Sequence, residues 1–256
     1  MKWFRLFAFF TFATAYCVSV AQTQIQNVTA DYLRLDPYGN IYAVKDAQLF
    51  KISPQGKLLY SYTNFSFGTI SSIDVFNPMK IMLFYQNSGL LVFLNEQLAP
   101  IHDPISLHDA GYFTISLASY SSANQIHLFD NSHRYLISLD FFMNEISRTP
   151  VHFQSFNPIH MIELEEKKIA LHDPNCGVFF FDSFGTFNKL IHISTHHYIS
   201  ITSEFIYYTQ NDEIHLVGLK NLNTEIQPLP VSDVVQTLLY KNNMILLRQN
   251  GTIWIY

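Results

Sequence analysis

The chain has 256 residues, a formal net charge of −5, 48% hydrophobic residues and only 14% charged ones. That composition supplies a packed core and argues against a disordered chain. The negative balance, with no basic cluster, sets nucleic acid aside as a partner.

The N-terminus reads as a signal peptide. Lys2 and Arg5 give a short positive start, residues 6–16 are apolar, and Ser19-Val20-Ala21 offers small residues for cleavage before Gln22. The apolar run is short for a bilayer anchor, which needs about 20 residues. Tyr16 stands before Cys17 where a bacterial lipobox has Gly, Ala or Ser, so lipidation is not expected. The expected organisation is a signal peptide at 1–21 and one domain at 22–256. The mature chain would be periplasmic or secreted, with no integral membrane span. Without Lys2 and Arg5 it holds 13 basic against 20 acidic residues, a net charge of −7. It also keeps Cys176 alone, so it needs no intrachain disulfide.

Beyond Gln22 the chain repeats. The clearest unit is Leu35-Asp36-Pro37-Tyr38-Gly39-Asn40-Ile41-Tyr42-Ala43-Val44, then, after a polar stretch, Leu49-Phe50-Lys51-Ile52-Ser53-Pro54-Gln55-Gly56-Lys57-Leu58. Turn formers separate short strands. One column recurs as Ile41, Ile81, Ile126, Ile169, Ile206 and Ile245, at intervals of 37 to 45 residues. Two positions on stand Ala43, Leu83, Leu128, Leu171, Tyr208 and Leu247, so the same strand face is apolar each time. A later strand adds Phe50, Leu91, Ile137, Phe179, Val217 and Ile253. Six units of four strands predict an all-β, six-bladed β-propeller. A β-sandwich would need several columns to coincide by accident. The sixth unit stops at Tyr256, one strand short. Residues 25–28 are therefore expected to pair antiparallel with residues 252–256 and close the ring.

The unit at 35–58 resembles the repeats of NHL-type and quinoprotein-like propellers: a Gly-Asn turn, an Ile-Tyr strand, then an apolar strand before a Gly-Lys-Leu turn. Phe181-Asp182-Ser183-Phe184-Gly185 echoes the second half, whereas Asn95-Glu96-Gln97 and Phe142-Met143-Asn144 lack the Gly. The resemblance implies the fold and transfers no functional residue, because such propellers bind, scaffold and catalyse. Quinone-dependent members dock their cofactor with repeated Trp, while this chain has Trp3 and Trp254 alone, so no cofactor is expected.

No nucleophile elbow, phosphate loop, zinc-protease helix or CxxC pair is present. What remains is one ring face, where the loops between second and third strands meet the inter-blade connections. Asp130, His133 and Asp173 fall in the first kind of loop, and His108, Asp109, His196 and His197 in the second. Imidazoles and carboxylates on one rim could hold a metal, a sugar or a protein. Asp and Asn are equally what tight hairpins require. Two functions follow. The first is an exported, non-catalytic propeller that binds or scaffolds a protein or cell-envelope component. The alternative is a metal-dependent, lactonase-like hydrolase with its site over the central channel.

Overall fold

The computed structural model describes residues 22–121, 123–164 and 168–256; the expected signal peptide, residues 1–21, lies outside them. Strand β1 (Thr23–Thr29) belongs to the last blade. Blade 1 comprises β2 (Tyr32–Leu35), β3 (Ile41–Lys45), β4 (Gln48–Ile52) and β5 (Leu58–Thr63). Blade 2 comprises β6 (Ser72–Asp74), β7 (Ile81–Tyr85), β8 (Leu90–Leu94) and β9 (Ile105–Ser106). Blade 3 comprises β10 (Ile115–Tyr120), β11 (Ile126–Asp130), β12 (Tyr135–Leu139) and β13 (Glu145–Pro150). Blade 4 comprises β14 (His160–Leu164), β15 (Lys168–Asp173), β16 (Gly177–Phe181) and β17 (Phe187–Ile191). Blade 5 comprises β18 (Ile199–Ile201), β19 (Phe205–Gln210), β20 (Glu213–Gly218) and β21 (Thr224–Pro228). Blade 6 comprises β22 (Val234–Tyr240), β23 (Asn243–Arg248), β24 (Thr252–Ile255) and β1. The fold is a six-bladed, all-β propeller with antiparallel pairing inside each blade. Among the described residues no helix is long and apolar enough to cross a membrane.

The Ile columns build the core. Ile41, Ile81, Ile126, Ile169 and Ile206 are fully buried, and Ile245 nearly so. They belong to apolar clusters set between successive blades, so each sheet buries both faces except at its outer strand. The outer strands β5, β13 and β21 are mostly exposed, as the rim of a ring must be.

Closure follows the expectation with one refinement. Thr23 lies opposite Ile255, Gln24 opposite Trp254 and Thr29 opposite Thr252, with the register irregular between. Asn27 takes φ 60° there, a left-handed turn that lets both Ile25 and Val28 reach the core. The neighbouring sheet is clamped by a side chain. Gln236 Oε1 accepts from Leu33 N at 2.8 Å, and Gln236 Nε2 donates to Leu33 O at 3.0 Å. A buried amide thus supplies one rung of ladder between blades 6 and 1.

The two ring faces are built differently. On the connection face, the loops joining blades bond to the β-turns beside them: Ile70 N to Asp46 O, Leu107 N to Gly89 O, Val151 N to Arg134 O and Leu229 N to Asp212 O, all at 2.8–2.9 Å. The opposite turn face uses one device repeatedly. A polar side chain at position i accepts the N–H groups of i+2 and i+4, as Asp36 does from Tyr38 and Asn40, and Asp140 from Phe142 and Asn144. Ser53, Asn95, Ser121 and Asp182 do the same. Position i+3 always has positive φ: Gly39, Gly56, Leu98, Asn124, Met143 and Gly185. The turn therefore survives where its Gly is lost.

Candidate functional site

Two of the three rim aspartates expected from sequence, Asp130 and Asp173, sit at the ends of second strands. Asp130 is mostly buried, and its Oδ1 accepts from Ser132 N at 3.0 Å, His133 N at 2.9 Å and Thr114 Oγ1 at 2.8 Å. His133 Nδ1 bonds Asp130 Oδ2 at 2.9 Å. Burial opposes the Asp130 charge, but these hydrogen bonds outweigh it and hold the carboxyl below its ordinary range. Asp173 is fully buried and saturated in the same manner: Oδ1 accepts from Asn175 N and Cys176 N, and Oδ2 from Asn157 N at 2.6 Å. Both carboxylates pin a β-turn to the connection arriving from the previous blade. Behind Asp173, Gly177 has φ 129°, and a Cβ there would meet Ile191 O at 2.1 Å, so no other residue fits that turn. Burial and then Asp173 push the Cys176 thiol upward, which keeps it from being a reactive thiolate.

The four remaining residues lie elsewhere on this face. His108 stacks on Phe113 with ring centroids 5.8 Å apart, and Asp109 N donates to Ser106 Oγ at 3.1 Å. His196 and His197 line a cleft of about 320 Å³ with Ala30, Asp31, Tyr198, Gln236 and Arg248. The cleft is formed by the connections into blades 5 and 1, the innermost strand β22 of blade 6 and the end of β23. The structure thus joins Asp130 to His133 and brings His196 and His197 into one cleft; among the described residues no hydrogen bond or ion pair links those groups. Nor do three His, Cys, Asp or Glu side chains converge to hold a metal among those residues.

Sequence reasoning missed what lies under the cleft. Tyr32, Tyr198 and His160, from blades 1, 5 and 4, stack across the channel mouth at centroid distances of 5.1 and 4.3 Å. His172 continues the stack behind His160, with the two Nδ1 atoms 3.2 Å apart. The Arg34 guanidinium lies 5.2 Å from the Tyr32 ring centroid and 4.9 Å from that of Tyr198. Burial, then Arg34, then His172 drive the His160 imidazole down to about 2, so it is a neutral packing ring. The available signal was position alone: Tyr32 and His160 open their innermost strands, and Tyr198 immediately precedes its own.

No family model and no curated protein matches the sequence. Solved structures share the fold. Virginiamycin B lyase from Staphylococcus aureus superposes with TM-score 0.59 at 12% identity, over 87% of this chain and 78% of that one. The Pan2 WD40 domain of Neurospora crassa gives 0.60 at 11% identity, over 91% and 94%. The Cps50 (Swd1) β-propeller domain of Myceliophteria thermophila gives 0.62 at 9% identity, over 92% and 99%.

Proposed function

We propose that the chain is an exported, non-catalytic propeller that binds a protein or cell-envelope component through its connection face. The observation that carries this reading is the cleft lined by His196, His197, Tyr198, Gln236 and Arg248. Its walls offer imidazole, guanidinium, amide and phenol groups from three blades, a mixed surface suited to a polar or peptidic partner. WD40 domains are among the structures that share the fold, which is compatible with a scaffold. The hydrolase alternative asks for carboxylates gathered over the channel. The rim carboxylates Asp130 and Asp173 are instead occupied by backbone N–H groups. The inner ones are pushed toward their neutral acids, with burial raising Asp74 to about 6 and Glu163 to about 9.

Two measurements test this reading. The intact mass of protein recovered after expression of the full chain should correspond to a start at Gln22; retention of residues 1–21 would remove the cleaved-export element. Affinity capture from an envelope fraction should yield a partner that the His196→Ala/His197→Ala variant loses. Equal capture by both proteins would place binding outside the cleft.

A further inference from the structure

Each blade ends on an outer strand whose second backbone edge faces water, and a bare edge invites pairing with another chain. Five of the six outer strands carry a device that discourages this. Strand β9 has only two residues, with Pro104 just ahead of it. Strand β13 bears Glu145, Arg148 and Pro150, and β21 bears Glu225 and Pro228. Strand β17 bears Lys189. Strand β1 is interrupted by the left-handed Asn27.

Strand β5 ends the sheet of blade 1 and has neither charge nor proline. Its six residues read Leu58-Leu59-Tyr60-Ser61-Tyr62-Thr63, and no charged residue follows until Asp74. Leu58 (46% exposed), Leu59 and Tyr60 (40%) are consecutive exposed apolar residues along this edge. Leu59 is the extra residue of a bulge opposite Lys51 and Ile52, which β13 and β17 repeat at Ile146 and Asn188. In β5 the bulge stands near the start and leaves Tyr60–Thr63 in regular register with Gln48–Lys51. A regular, uncharged edge therefore remains where the other blades are blunted.

We propose that β5 pairs antiparallel with β5 of a second copy of this chain, so that blade 1 continues across a two-fold axis into an eight-stranded sheet. Symmetry and charge point to that occupant. Residues directly opposite in an antiparallel pair share a face of the sheet, so the two-fold brings together residues an even number apart. Centring on Ser61 makes fullest use of the regular stretch. Ser61 then meets its own copy, Tyr60 meets Tyr62 of the second copy, and Leu59 meets Thr63. These are favourable cross-strand pairs. The nearest charge along the chain, Lys57, falls outside the paired stretch, so no like charges oppose each other. A foreign strand would have to supply this match, whereas a second copy carries it. The edge is only about 20 Å long, which places the contact in the small, transient class. The inference rests neither on residues 1–21 nor on the cleft.

The test is sedimentation of the chain from Gln22, which contains all the strands that close the ring. Dimer should build up across roughly 1–100 μM protein. Ser61 is exposed, so Ser61→Lys and Ser61→Glu should each keep the parent's melting temperature. Each sets like charges opposite one another at the axis and should weaken dimerisation about ten-fold or more. Mixed one to one, the two variants should recover a dimer at least as tight as the parent's. Glu225→Lys, on the outer strand of blade 5, should dimerise as the parent does. A parent chain still monomeric at about 100 μM would overturn the proposal, including one that captures an extended peptide instead. So would a dimer undiminished in both Ser61 variants, as exchange of β1 would give, or no dimer when the two are mixed.

Discussion

The seam between blades 6 and 1 and the interface between blades 3 and 4 join neighbouring sheets by opposite means. At the seam the contact is apolar, with Ile25, Val28, Leu33, Ile41 and Ile253 in one buried cluster. Beside it the buried Gln236 commits both ends of its amide to the Leu33 backbone, one hydrogen bond at Oε1 and one at Nε2. Across blade 3 runs a polar row in register, Ser119, His127, Ser138 and Ser147, one residue from each strand. Ser138 Oγ donates to Ser183 O at 3.3 Å and so accepts from His127 Nδ1 at 2.9 Å. That assigns the proton to Nδ1 and leaves Nε2 as an acceptor, 3.8 Å from Glu163 Oε2. The spacing is that of an ion pair, yet burial holds both partners neutral. It lowers His127 to about 4 and, with help from Asp74, raises Glu163 to about 9. Among the described residues, Ser119 Oγ, His127 Nε2, Ser147 Oγ and both Glu163 oxygens are buried without a direct hydrogen-bond partner. The seam is a saturated lock, whereas the interface between blades 3 and 4 is under-satisfied and responsive to pH.

The largest effect expected from that contrast is at the seam. Deleting residues 22–29 strips the ladder from β24 and uncovers an apolar flank, so stability should fall by roughly 5 kcal/mol or more. A truncated protein that melts with the chain from Gln22 would show that β1 is not what closes the ring. Next, Gln236→Leu keeps volume but orphans the N–H of Leu33 and leaves the Leu33 C=O with Arg34 Nη1 as its donor. A loss of about 3 kcal/mol in urea unfolding is expected, and a change under 1 kcal/mol would make the amide clamp incidental.

At the blade 3–4 interface the sign reverses with pH. Glu163 has a raised folded pKa, so its contribution is full below about 4.5 and is lost as pH rises toward about 9. His127 has a lowered one, so its contribution is full above about 6.5 and is lost as pH falls through about 4. Glu163→Gln abolishes the first dependence. It should stabilise the protein by on the order of 2 kcal/mol at pH 8 and by nothing at pH 4. A pH-independent difference between the two proteins would show that Glu163 is already ionised in the fold. The smallest effects belong to the turns. Leu98 is buried and Met143 only partly so. Leu98→Gly should therefore destabilise by about 2 kcal/mol, while Met143→Gly stays within roughly 1 kcal/mol, because relief of positive φ offsets what packing is lost.

Those two residues also show how far the sequence could be read. Six blades were legible because each buries the same columns, and repetition exposes a pattern that one blade would hide. The missing glycines in the second and third units looked like decay of the motif. Instead Leu98 and Met143 keep the left-handed backbone, at φ 60° and 67°, and recover part of its strain by packing. The rim aspartates were legible as residues but not as bonds: nothing in Asp173 announces that Asn157, arriving from the preceding connection, will use its second oxygen. The cleft and the ring stack were not legible, because residues 31, 34, 160, 198, 236 and 248 meet only when the circle is complete.

That completion has a consequence in time. The first described strand and the last are neighbours in space, so β1 emerges from the ribosome long before β24 exists. At about 5–20 residues per second the interval is on the order of tens of seconds. Throughout it, β1 has no strand to pair with its backbone, although blade 1 can already pack on Ile25 and Val28, and the edge of β1 is available to whatever pairs with an extended segment. A second nascent copy is one such acceptor. At high concentration the characteristic misassembly should be a reciprocal dimer, in which β1 of each molecule completes blade 6 of the other.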